Sequence, residues 1–172
     1  MKTEIIKIKI VKPEKEKIQL AAQLLKQSEI VAFHTETVYG LGARLTEIMA
    51  IKKIFKAKKR PADNPLIVHV TDIAKVADIA EITPLARKLM QKFWPGPLTL
   101  LLKKKPIVLD IVTAGLPTVC VRLPAHPVAL ALIKAVGEPI VAPSANASGR
   151  PSPTTAQHVY HDLKGLIPLI LD

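Results

Sequence analysis

The 172-residue chain has one cysteine, Cys120, set in the apolar run TVCVRL. A lone cysteine excludes an internal disulfide, and no Cys/His pair stands at zinc spacing. Cys120 reads as a small buried hydrophobe rather than a nucleophile. A chain of this length buries about 70% of its unfolded surface and needs neither device to fold. Aromatic residues make up only 3%, which argues against a single-strand binder built on base stacking. No apolar stretch reaches membrane-spanning length, and the first residues, MKTEIIKIKI, alternate instead of forming a signal-peptide core, so a cytoplasmic protein is expected. Neither GxGxxG nor GxxxxGK[ST] occurs. No serine or cysteine sits in a nucleophile elbow, and the acids show no paired spacing.

Lysine and arginine are plentiful: 25 against 14 acids, a formal charge of +11. The excess favours an anionic partner such as a nucleotide or RNA, although lysine-rich surfaces are common. Fifteen prolines gather in short motifs, PADNP, WPGP, RLPAHP, APSAN and RPSP, which read as rigid turns. Between them strands and helices alternate. Strands are expected at 4–11, 30–33, 65–70, 98–102, 118–122, 139–142 and in the closing IPLIL. Helical faces are marked by Ile18, Ala21, Ala22 and Leu25; by Ile48, Ile51 and Phe55 over 46–57; and by Leu85, Leu89 and Phe93 after Thr83-Pro84. Two more follow, one with Val128, Ala131, Leu132 and Ala135, the other with Ala156, Val159, Tyr160 and Leu163. The expectation is one α/β domain over 1–172, a twisted mixed sheet flanked by helices. The short connection between LTLLL and TVCVR favours antiparallel pairing there.

Ligands in such folds bind where strands end, and four strand ends stand out. HTETVYGLG offers Thr35, Glu36 and Thr37, with Tyr39 to wall a small pocket, although a helix cap followed by a glycine turn fits the local pattern better. KAKKRPADNPL places Lys58, Lys59 and Arg60 ahead of Pro61, which forces the chain out of helix and into a stiff basic loop. A solvated lysine face is the plainer reading. Arg122 ends an apolar strand, where a charge is costly unless paired; an internal acid and a carboxylate or phosphate ligand are equally good partners. His126, in a Pro-x-His-Pro turn, reads as structural. APSANASGRPSPTT sets Ser144, Asn146, Ser148 and Ser152 between prolines, a rigid set of groups for oxyanions or sugar hydroxyls. Cations, hydroxyls and backbone without a nucleophile suit phosphoryl or nucleotidyl transfer, where positioning and charge do most of the catalysis.

Taken in order, HTETVYGLG, Lys58-x-Arg60, NPLIVHV, FWPGPLT, VRLPAHP and SAN-SG-PSPT resemble the YrdC-like family, the threonylcarbamoyl-AMP synthases of tRNA modification. Each motif is weak alone; all six in order, over nearly the whole chain, are specific. The resemblance implies a twisted α/β fold with a deep basic cavity. It implies that L-threonine, bicarbonate or CO2, and ATP with Mg2+ give threonylcarbamoyl-AMP and pyrophosphate. Downstream tRNA-modifying proteins would use the product on adenosine 37 of tRNAs reading ANN codons. By position, Lys58, Arg60, Ser144 and Asn146 match the family's phosphate-binding tetrad, and Asn64, Thr118 and Ser152 match nucleotide-binding positions. Thr35, Arg122, His69 and Ala142 match threonine-binding positions, with Tyr39 beside them. No protein ligand to a metal is implied. The family usually has proline where this chain has His34. Members also continue past LILD with glycines and a Ser/Thr-bearing strand that helps close over threonine, and residues 1–172 are expected to lack that segment. A non-catalytic module holding tRNA or double-stranded RNA by its phosphates is the other reading of the basic charge.

Overall fold

The computed structural model describes residues 1–172. Along the chain run β1 (Glu4–Ile6), α1 (Lys15–Lys26), β2 (Val31–His34), β3 (Tyr39–Arg44), α2 (Ile48–Lys58), β4 (Ile67–His69), α3 (Ile73–Ile79) and α4 (Pro84–Phe93). Then follow β5 (Leu100–Lys103), α5 (Asp110–Thr113), β6 (Thr118–Arg122), α6 (Pro127–Val136), β7 (Ile140–Val141), α7 (Ala156–Leu163) and β8 (Leu169–Leu171). The strands form one sheet in the order β1-β8-β2-β3-β7-β4-β6-β5. It is mixed, as expected. β8 lies parallel to β1 and β2, and β4 parallel to β6, while β3, β5 and β7 run antiparallel to their neighbours. β5 and β6 pair antiparallel, Leu100 against Val121 and Lys103 against Thr118.

Helices cover both faces, so most strands bury both sets of side chains. On one face Ile18, Ala21 and Leu25 of α1 mesh with Val128, Leu132 and Val136 of α6 over Val31, Phe33 and Ile140. On the other, Ile51 and Ile54 of α2, Met90 of α4 and Val159 and Leu163 of α7 cover Ala32, Leu41, Val68, Val119 and Val121. Neighbours along β2 therefore belong to opposite cores, the period-2 signature of a strand. Gly42 is needed for this packing: a Cβ there would meet Phe33 Cε1 at 2.8 Å.

Four expectations are corrected. Residues 39–44, read as a glycine turn, are a strand: YGLGAR doubles back on VAFH with Gly42 facing Val31 and Tyr39 facing His34. α3 was not expected; it is seven residues long and starts at Asp72, whose carboxylate accepts the Lys75 N–H. Lys58 is not in the basic loop but is the last residue of α2, and the helix stops at Lys59, in the left-handed region at φ 51°. α4 buries Ala86 and Met90, while Leu85 and Phe93 are exposed.

Candidate functional site

The alternation of β4 and β6 builds the floor of a cavity. Val68, Val119 and Val121 point into the larger core, so Ile67, His69 and Arg122 point to the opposite face. Gly40 and Ala142 continue that floor, and their small size leaves it open; a Cβ on Gly40 would already stand 3.3 Å from the Ala142 Cβ. The turn after β2, with Thr35, Thr37 and Val38, forms one wall. Arg60 and Asn64 form another, and Pro143 and Ser144 a third. The enclosed volume is about 360 Å³. The site thus lies over the sheet face, where α1 and α6 leave it uncovered, rather than only at strand ends.

Of the two partners that its sequence context left open, Arg122 has the internal acid, Glu36. Its Nε donates to Gly96 O at 3.2 Å and its Nη1 to Thr37 Oγ1 at 3.2 Å. Its Nη2 stands 2.8 Å from Glu36 Oε1, but the contact is ionic and off-line, so Nη2 makes no directed hydrogen bond. Glu36 Oε1 accepts the Ala125 N–H at 3.0 Å, and Glu36 Oε2 is buried without a donor. Burial alone would raise the Glu36 carboxyl; the guanidinium and the Ala125 N–H outweigh it and hold the group below its ordinary value. The pair is an internal ion pair whose arginine also lines the cavity.

His69, level with Arg122 across the β4–β6 pairing, is 3% exposed. Burial, and then the charge of Arg122, push its pKa down to about 4, so the ring is neutral near pH 7. Its Nδ1 lies 3.3 Å from Ile67 O, which assigns the proton there and leaves Nε2 an acceptor. The Thr35 hydroxyl organises the turn, donating to Val38 O at 2.6 Å and accepting the Val38 N–H at 3.2 Å.

At the other end of the floor Arg60 is braced by Asn64 and Pro65, with Nη2 2.6 Å from Asn64 Oδ1 and 2.8 Å from Pro65 O. Ser144 shares this part of the wall. Lys58 and Asn146 stand behind it. Lys58 is 1% exposed; its ammonium donates to Ser144 O and to Asn146 O, the latter at 2.5 Å, and its own carbonyl accepts the Ser148 N–H at 2.8 Å. Burial, and then the charge of Arg60, lower its pKa to about 8. The Asn146 amide donates to Ala147 O and Arg150 O, bracing the same loop, while its Oδ1 is buried without a donor.

The cavity thus gathers Thr35, Arg60, Asn64, His69, Arg122, Ala142 and Ser144, while Tyr39, Lys58, Thr118, Asn146 and Ser152 lie off its wall. Thr118 shares the floor face with Arg122 and, continuing the β4–β6 register, falls beside Pro65. Ser152 lines a neighbouring hollow with Arg150, His158 and Asp162. Tyr39 turns away; its hydroxyl donates to Asp172 Oδ1 at 2.7 Å. Cys120 is half-buried, with a thiol raised by burial and so kept protonated. The sequence offers Glu36 and Thr37 as polar groups without a role; the costly charge of Arg122 is the signal that it needs such partners. The Gly96 carbonyl carried no signal at all, because nothing local tells which atom a WPGP turn will present.

The fold is an α/β domain with two arginines on one sheet-face cavity, a setting that suits anionic groups. The chain belongs to the Sua5/YciO/YrdC family, whose model, described as "Telomere recombination", matches residues 23–172. It is 58% identical over 157 residues to the threonylcarbamoyl-AMP synthase of Bacillus subtilis, covering 90% of this chain and 45% of that protein. The crystal structure of Pyrococcus abyssi Sua5 complexed with L-threonine is similar at a TM-score of 0.95 and 50% identity, over 98% of this chain and 50% of that one. The threonylcarbamoyl-AMP synthase of Vibrio vulnificus (strain YJ016) is 32% identical over 157 residues, covering 90% of this chain and 84% of that protein. The chain spans about half the length of the first two.

Proposed function

We propose that this domain forms L-threonylcarbamoyl-AMP and pyrophosphate from L-threonine, bicarbonate or CO2, and ATP. The observation that carries the reading is the division of one cavity floor between two arginines. Arg122 sits level with His69, and Arg60 is braced on Asn64 and Pro65. From Pro65 to His69 the chain advances four residues, about 13 Å if fully extended. An amino acid followed by a phosphate chain fits such a spacing, and the relatives named as threonylcarbamoyl-AMP synthases support it.

The Arg122 end takes the threonine carboxylate, because a guanidinium pairs with carboxylates and Arg122 lines the cavity. Neutral His69 and the Thr35 turn face the rest of the amino acid. The free amine attacks CO2 to form a carbamate, the nitrogen losing a proton; from bicarbonate the same step also releases water. A carbamate oxygen then attacks the α-phosphorus of ATP, and the bond to the pyrophosphate breaks. No side-chain nucleophile is needed. Arg60 and the Ser144 loop hold the phosphates, with Lys58 and Asn146 fixing that loop from behind and Thr118 and Ser152 toward the nucleoside. Mg2+ enters with the triphosphate; no group of three or more His, Cys, Asp or Glu side chains is arranged to hold it. Proteins that modify adenosine 37 of tRNAs would consume the product.

Thermal unfolding with ligand pairs tests the substrate assignment. L-threonine with ATP should raise the melting temperature more than L-serine with ATP, since a buried methyl adds about 0.8 kcal/mol. Equal shifts would remove the threonine assignment.

A further inference from the structure

Two histidines off the cavity wall join the segments that carry its amino-acid end. His34 ends β2, next to Thr35, and His126 lies in the loop after Arg122, just before α6. His34 Nδ1 and His126 Nε2 are 2.9 Å apart. His126 is 7% exposed, and its Nδ1 is buried without a partner. That orphan decides which ring donates. If His34 donated, His126 would carry its proton on the buried Nδ1, an N–H with no acceptor. Buried N–H groups are rarely orphaned; a bare acceptor is tolerated more readily. So His126 Nε2–H donates and His34 Nδ1 accepts. The same two segments are joined by the Glu36–Ala125 bond, and by the contacts of Arg122 with Glu36 and Thr37.

We propose that the His34–His126 bond is a proton-sensitive clasp that positions the amino-acid end of the cavity, closed when both rings are neutral and opened when they are protonated. A proton added to His34 must occupy Nδ1, where it meets the His126 N–H. Accepting it moves the His126 proton to the orphaned Nδ1, and a second proton sets two N–H groups against each other. The other groups facing the pair are few. The Tyr39 ring packs edge-on to His34 at 4.8 Å, its hydroxyl held by Asp172. The carboxylates of Asp172 and Glu36 favour a charged His34, and that of Glu36 a charged His126. Burial, joined at His126 by the charge of His34, outweighs them, so both titrate below the ordinary histidine range. The clasp therefore holds at neutral pH and fails as pH falls.

The effect on affinity rests on reading the cavity as an amino-acid site, and the test separates the two. L-threonine binding is measured by calorimetry from about pH 8 to about pH 5, alongside nitrogen NMR of the histidine rings. Affinity should hold above about pH 7 and weaken about threefold to tenfold by pH 5, the worth of one hydrogen bond. His34→Asn, which keeps an acceptor but cannot titrate, should bind tightly and without that slope. His126→Phe should bind weakly even at pH 8. An unchanged slope in both variants would overturn the clasp. If L-threonine binds at no pH, the amino-acid reading falls and the rings decide: coupled, lowered titration with the proton on His126 Nε2 supports the clasp, and two independent titrations near pH 6.5 overturn it.

Discussion

Replacing Arg122 by lysine keeps a positive charge but removes the fork that reaches Gly96, Thr37 and Glu36 at once. An ammonium cannot hold those three directions and still face a ligand. Arg122→Lys is expected to weaken L-threonine binding by at least about tenfold, while ATP binding changes by less than about twofold. Calorimetry with each ligand checks this; equal losses would mean that Arg122 supports the whole wall rather than the amino-acid end. His69 makes a separate prediction about pH. Its folded pKa of about 4 is below the unfolded value of 6.5, so the unfolded chain takes up the proton first as pH falls. The stability that neutral His69 provides is complete above about pH 6.5 and is lost progressively down to about pH 4, on the order of 3 kcal/mol. Urea midpoints at about pH 7 and pH 4.5 should differ less in His69→Gln than in the native chain. An identical drop would assign the acid lability to other groups.

Among the elements, Lys58 shows how a helix end can serve a loop. The last residue of α2 turns inward, and its side chain and carbonyl together hold three points of the 144–148 segment. Lys58→Met keeps the stem and removes the donors, leaving two carbonyls without their partner. ATP affinity should fall by about tenfold or more, and protease sensitivity should rise in the 144–152 loop. A loss of affinity with that loop unchanged would instead make Lys58 a direct phosphate ligand. The elements also show where sequence periodicity suffices and where it does not. IVAF, TVCVR and the α1 and α6 stripes are legible because alternate or helical spacing matches the face they bury. β3 is not, because YGLGAR is buried on both faces and its Gly42 answers a distant demand, the room Phe33 needs. In α4, Leu85 and Phe93 follow a helical spacing yet face outward, since the sheet meets the helix at Ala86 and Met90.

For the whole molecule, the sheet order brings four distant stretches to one floor. Antiparallel pairing of β7 with both β3 and β4 sets the Ala142–Ser144 segment between the Thr35 turn and the Arg60 loop. The sequence supplied the residue types of that cavity. It could not supply the division of labour, with Ser144 and Arg60 on the wall and Lys58 and Asn146 behind, because that depends on which side of a loop each side chain takes. No helix is long and apolar enough to cross a membrane. On the proposed reading, one cavity joins L-threonine to the α-phosphate of ATP through a carbamate. The most direct test is pyrophosphate release from ATP and bicarbonate, measured with and without L-threonine. Release that depends on L-threonine and on bicarbonate is the predicted result; release indifferent to L-threonine would contradict the account, even in a protein that binds ATP.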